Sequence, residues 1–326
     1  MNPEQQRTST ASGDLRVVAV TVAYSEERDP LAALERLAPF VDHVILVDNT
    51  ASGHPKLAGR GSHERLTILA NANKGGLAGA YNAALDRVRA AHPNATHVLF
   101  LDDDTDTSAV ASLLGSAAIR QWAARDDVAA TAPAYVDRAT GIRLAPIRLS
   151  RFRYRVLSRH LQEPTEVAFL INSMSLWRVG ALRRIGPYDE RLAVDHIDTD
   201  YCLRAGILGY KLMLIPALTF EHSIGRRRKY ELFGRTLQSG GHSPARREMI
   251  GRNTAVLAMR YGQRYPAFAM LCLTRLFYEC LGIVIAEDRR TPKLWSLAKG
   301  AFCGALIRPS AGSGDVTTGT RGDTNS

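Results

Sequence analysis

The sequence predicts an α/β fold: a mostly parallel sheet with helices on both faces, followed by a helical extension. Two observations carry this. Short, almost continuously apolar runs rich in Val, Ile and Leu alternate with amphipathic stretches from residue 16 to residue 132. That is the pattern of strands buried on both faces and of the helices that cover them. Several of the runs also end at acidic or amide residues, and open α/β sheets bind ligands outside the carboxyl ends of their strands.

Taken in order, Arg16–Tyr24 (RVVAVTVAY) reads as the first strand and Leu31–Leu37 as a helix, with Pro30 at its start. His43–Asp48 (HVILVD) and Leu66–Ala70 are strands, and Gly76–Ala91 is a helix. His97–Asp102 (HVLFLD) is the fourth strand, Ser108–Arg125 a single helix and Val128–Ala132 a fifth strand. Residues 1–14 and 309–326 are rich in Ser, Thr, Gly and Asp and are expected to be disordered. Residues 15–225 form the expected α/β domain, and residues 226–308 a basic loop with C-terminal helices.

Composition decides less. With 45% apolar and 23% charged residues over 326 positions, the chain can bury a sizeable core unaided. Its 42 basic and 32 acidic side chains leave a net charge of +10, which suits a phosphorylated substrate, an anionic membrane surface or nucleic acid. A nucleic-acid-binding protein is the competing class, but no recognised motif for it is present. Eight basic residues fall between Arg226 and Arg252, against Glu231 and Glu248. Cys202, Cys272, Cys280 and Cys303 form no C-x-x-C pair or zinc spacing. Three lie in apolar surroundings, and Met1–Asp14 is polar; together these lead to an expectation of reduced thiols and a cytoplasmic location.

Function is sought at the strand ends. Tyr24 follows the first strand, and Asp48 and Asn49 close the second; such groups suit a base or ribose, though they are equally common in turns. Asn73-Lys74-Gly75-Gly76-Leu77-Ala78-Gly79-Ala80-Tyr81-Asn82 opens a helix. Its glycines permit close approach, and its amides favour anions; tight packing against the sheet explains them equally well. The sharpest signal is Leu99-Phe100-Leu101-Asp102-Asp103-Asp104-Thr105. Consecutive carboxylates repel one another unless a cation neutralises them, and alternation puts Asp102 and Asp104 on one face. Asp106 stands where the phosphatase D-x-D-x-[TV] motif requires Thr or Val, which excludes that class.

This ordered set resembles the donor half of glycosyltransferase family 2. The likeness continues through Phe169-Leu170-Ile171-Asn172-Ser173, Ile185-Gly186-Pro187-Tyr188-Asp189-Glu190, Val194-Asp195-His196-Ile197-Asp198-Thr199-Asp200 and Phe220-Glu221-His222. It covers roughly Arg16 to Asn253 and is strongest toward the rhamnosyltransferases, among them those that add a second L-rhamnose to a mono-rhamnolipid. Met174 stands where relatives often have Gly, and Ala193 where Phe is usual; both departures fall on the acceptor side.

The resemblance implies a GT-A fold and inverting transfer of L-rhamnose from dTDP-L-rhamnose. The acceptor would be a hydroxyl of a glycolipid, with an O-antigen or polysaccharide precursor as the alternative. It puts Tyr24, Asp48, Asn49, Lys74, Gly75, Asp102 and Asp103 on the donor. Asp104 and His222 would hold Mg2+ or Mn2+, and Asp198 would be the general base. Ser173, Asp195 and His196 fall on the acceptor side. Asp200 is expected to pair with Arg204 four residues on. Arg226 and Arg228, directly after His222, are expected in a mobile loop over the diphosphate.

Ala267–Ala286 is long and apolar, yet Thr274, Arg275, Tyr278, Glu279 and Gly282 make a polar stripe along it. Such a helix either caps a core or lies in a membrane interface, and flanking arginines would suit an inner-membrane surface.

Overall fold

The computed structural model describes residues 15–103, 105–222, 228–232 and 235–307. Its centre is a sheet of nine strands among these residues. The strands are β1 (Val17–Ala23), β2 (His43–Asp48), β3 (Leu66–Ala70), β4 (His97–Asp102), β5 (Val128–Asp137), β6 (Ile142–Arg143), β9 (Thr165–Glu166), β10 (Ser175–Arg178) and β11 (Lys211–His222). Two hairpins stand apart, β7 (Ile147–Leu149) with β8 (Tyr154–Val156), and β12 (Arg228–Leu232) with β13 (Arg235–Ser239). The order is β3-β2-β1-β4-β10-β5-β11-β9, with β6 on β5. The β1–β2, β2–β3, β1–β4 and β5–β11 pairs are parallel, whereas β10 runs antiparallel between β4 and β5.

The helices are α1 (Pro30–Leu37), α2 (Gly76–Ala91), α3 (Val110–Gly115), α4 (Ala117–Ala123), α5 (Val179–Ile185), α6 (Ile197–Ile207), α7 (Pro244–Tyr261), α8 (Pro266–Ala286) and α9 (Arg290–Leu306). Strand alternation sorts the core into two layers. Val18, Val20, Val22, Val98 and Phe100 join the cluster beneath α2, α5 and α6. Val17, Ala19, Leu46, Leu99 and Leu101 join the one beneath α1, α3 and α4. Both faces are covered, as the continuous apolar runs require, so the α/β class and the helical C-terminal part read from sequence are those observed.

Three boundaries differ. The single helix expected over Ser108–Arg125 is a 3-10 turn followed by α3 and α4. Ser116 is extended (φ −68°, ψ 125°) and its hydroxyl accepts from the Ile119 amide at 3.4 Å, capping the second helix. The fifth strand runs on to Asp137, because β11 continues alongside it. Arg228 stands in a strand, not in the loop expected of it.

Candidate active site

β4 ends at Asp102 and β11 at His222, while α6 carries Asp198 in its first turn. Alternation turns Asp102 to the side of Phe100, where α2 packs, and the Tyr81 hydroxyl of α2 donates to Asp102 Oδ1 at 3.3 Å. The second oxygen lies 3.7 Å from Nε2 of His222. β10 and β5 separate the two strands in the sheet. A register shift between Ile215 and Thr219 bulges β11, and bulges bend a strand, so its end reaches Asp102. His222 is buried, edge-on to Tyr135 at 5.9 Å.

Asp198 faces the same cleft. Its Oδ2 accepts the Asn172 amide at 3.3 Å. Burial, then the charge of Asp102, push its carboxyl up to about 7 against that one hydrogen bond, and Asp195 adds to the rise. Burial, then the charges of Asp102 and Asp198, hold the Tyr81 hydroxyl well above its ordinary range. The floor is aromatic: Tyr81 meets Phe100 at 4.9 Å, and Tyr188 stacks on Tyr201 at 3.9 Å. This apolar underside is what desolvates Asp198.

The donor-side candidates are spread over three neighbouring loops, and most of their polar atoms already serve the fold. Tyr24 is 62% exposed. Its amide and that of Ser25 donate to Asp103 Oδ2, each at 3.2 Å, while Arg28 meets Oδ1 at 2.5 Å. Asp103 thus ties the loop after β1 to the end of β4. Asp48 is buried; that burial raises its pKa, but hydrogen bonds from His54 and Thr50 prevail and leave it lowered. Asn49 holds the loop before α2, giving a hydrogen bond to Gly76 O at 3.2 Å and accepting one from Asn71 at 2.6 Å. Lys74 projects from that loop, exposed.

The start of α2 is not an open anion site. The Leu77 and Ala78 amides donate to Ala193 O at 2.9 and 3.3 Å. The glycines let this loop press beneath the Glu190–Ala193 turn: a Cβ on Gly75 would meet Glu190 Oε2 at 2.4 Å, and one on Gly76 would meet Ala193 O at 2.8 Å. Gly76 also has φ +63°. Gly76→Ala is therefore expected to cost on the order of 1–3 kcal/mol, read as a lower midpoint in urea unfolding; an unchanged midpoint would contradict this packing.

On the acceptor side, Ser173 is buried with its hydroxyl 2.5 Å from that of Thr105. Asp195 Oδ1 pairs with Arg246 at 3.3 Å. His196 Nε2 meets the Thr254 hydroxyl at 2.8 Å, and burial, then Arg275, hold its imidazole well below the usual histidine range. The fully buried Asn253 donates to Leu192 O and Asp195 O at 2.8 and 2.9 Å. α7, beyond residue 226, therefore packs against Asp195 and His196, two of the residues expected to face an acceptor. Met174 and Ala193, the two departures from the resemblance, have φ +61° and +58°, a region that favours glycine. Tyr81 and Asn172, which the sequence marks only as members of longer motifs, make direct contacts to Asp102 and Asp198.

Asp104 and Arg226 lie outside the described residues. Asp102 and His222 are a pair; among the described residues no three acids, histidines or cysteines gather as a metal cluster.

No known family description matches the chain. A curated protein, dTDP-rhamnosyl transferase RfbF of Shigella flexneri, is 24% identical over 249 residues, spanning 74% of this chain and 79% of that protein. Among solved structures, S. aureus TarS aligns over 88% of this chain at 15% identity with a TM-score of 0.44; the chain spans 43% of that protein's length.

Proposed function

We infer that the chain is a glycosyltransferase. Within that class, we propose transfer of L-rhamnose from dTDP-L-rhamnose to a hydroxyl of a glycolipid or glycan precursor, with inversion. The observation that carries the reading is the junction of Asp102, His222 and Asp198 in one cleft. The similarity to a dTDP-rhamnosyl transferase supports the sugar.

Asp198 is the base in this reading. It takes the proton of the acceptor hydroxyl as attack proceeds, and a carboxylate near neutrality is well matched to that task. The Asn172 amide and the apolar floor hold it in place. A carboxylate and an imidazole 3.7 Å apart are hard-to-borderline donors that suit Mg2+ or Mn2+. With Asp104, they are the residues that would hold the ion. When bound, it supplies counter-charge to the departing diphosphate. Asp195 and the neutral His196 line the acceptor side, where they can orient a hydroxyl.

Purified protein should release dTDP from dTDP-L-rhamnose only when Mg2+ or Mn2+ and a suitable acceptor are present. A mono-rhamnolipid and a polyprenyl-linked glycan precursor in the acceptor panel separate the two acceptor classes. Turnover of UDP- or GDP-sugars alone would remove the rhamnose assignment. Asp102→Asn is expected to weaken Mn2+ binding by about tenfold or more, measured by electron paramagnetic resonance titration. Unchanged binding would reject Asp102 as a ligand.

A further inference from the structure

α8 is amphipathic, but turned the unusual way round. Part of its polar stripe faces the domain: Glu279 pairs with the fully buried Arg247, Thr274 meets the Tyr154 hydroxyl at 3.2 Å, and Gly282 lies against Ser239, while Arg275 and Tyr278 at the edge of the stripe stay exposed. Its apolar stripe faces out. Met270, Leu273, Phe277 and Val284 fall on one side of the helix and are 56%, 61%, 62% and 46% exposed. Only 22% of the most apolar stretch is buried. On α9, Trp295 and Phe302 are exposed as well. Single exposed apolar residues are ordinary; a stripe on one helix marks an interaction surface.

Charge says which kind. The β7–β8 hairpin flanks α8, joined to it by the Ala267 amide on Arg151 O at 3.2 Å and by Tyr154. Its tip presents Arg151, Phe152 and Arg153, all exposed, with Arg151 over the Phe152 ring at 5.0 Å. Arg275 is exposed on α8 itself. Among the described residues none of these arginines has a carboxylate partner.

We propose that this face seats the protein on an anionic lipid surface. The apolar stripe enters the acyl boundary, and the arginines meet headgroup phosphates. The 21 residues of α8 would match a bilayer in length, about 31 Å, but crossing is ruled out by its anchoring. Arg247 bridges Glu279 and Glu287, and Lys293 also pairs with Glu287, so the inner face of the helix is locked to α7 and α9. A spanning pose would carry that network into hydrocarbon. The proposal uses no residue assigned to sugar transfer and stands whichever sugar is moved.

The test is sedimentation of the full chain with phosphatidylglycerol-containing vesicles against pure phosphatidylcholine vesicles, at low and high salt. The expected result is about tenfold or stronger binding to the anionic vesicles, lost at high salt, with a blue shift of Trp emission. Leu273→Glu with Phe277→Glu should weaken binding at least about tenfold without lowering Tm, because both side chains are exposed. Arg151→Glu with Arg153→Glu should remove the preference for anionic lipid. Absence of binding, or binding indifferent to both double variants, would overturn the proposal. So would a dimer in light scattering that Leu273→Glu with Phe277→Glu dissociates, since the stripe would then belong to a second copy.

Discussion

Asp198→Asn is expected to lower turnover by about 10³-fold, the scale of a lost general base, while making the cation-free protein more stable at pH 8. The two effects share one cause. Burial and Asp102 push the carboxyl up to about 7 from an ordinary 3.8. Between those values the unfolded chain is ionised there while the folded chain keeps its proton. The folded state binds more protons, so stability falls as pH rises. That loss starts near the unfolded value and is complete above the folded one. The neutral amide escapes it. The gain at pH 8 is on the order of 2–4 kcal/mol, reduced by the partial exposure of the group, and it vanishes below about pH 4. Thermal scans in chelator at both ends of that range check the sign; an equal difference at the two ends would mean that Asp198 titrates normally. In activity, where the cation neutralises Asp102 and so removes part of that rise, the wild type should show kcat/KM increasing with pH as the base deprotonates, with its midpoint below that of the cation-free protein. A fully active Asn variant would remove Asp198 from the chemistry.

The strands and helices up to Asp102 were legible because each is a local pattern: continuous apolar runs, Pro30 opening a helix, glycines before α2. What was not legible depends on contacts distant in sequence. β10 is four residues long, too short for a period, and owes its place to β4 and β5. The polar stripe of α8 is legible from helical spacing, but the side it faces is not, because Glu279 is turned inward by Arg247 from 32 positions away. The acids teach a related lesson. Asp48, Asp103 and Asp102 all end or follow strands, yet the first two spend their oxygens on backbone amides, Thr50 and Arg28, whereas Asp102 faces Asp198 and His222. Asp serves turns and ligands with the same atoms, and only the neighbours tell which. A backbone capped by Ala193 O, likewise, leaves no trace in the glycine-rich motif that it completes.

Two positions beyond Asp198 the consequence reverses. Asp200→Leu is expected to cost about 3–5 kcal/mol, the scale of a buried ion pair left with one partner. Its side chain is 1% exposed. Oδ2 accepts from Arg204 at 2.9 Å, as the four-residue spacing suggested, and Oδ1 accepts from Arg260 and Tyr261, each at 2.7 Å. Without the carboxylate two guanidinium groups remain in the interior, of which Arg260 keeps Asp189 at 2.7 Å. Combining Asp200→Leu with Arg204→Met should recover part of the loss, because the uncompensated charge is removed with its partner; strictly additive losses would show that the pair does not interact. Since Asp200 belongs to α6 and Arg260 and Tyr261 to α7, the carboxylate also joins the sheet domain to the C-terminal helices. Unfolding in urea, followed by Trp fluorescence and by circular dichroism, should be a single transition in the wild type and split in the Asp200→Leu variant, the helices leaving first. Coincident transitions in the variant would mean that the α7–α9 packing alone couples the two parts. Activity measured at low temperature, where the variant is folded, should stay within about threefold of wild type, because every contact of Asp200 is structural while the base two residues earlier is untouched.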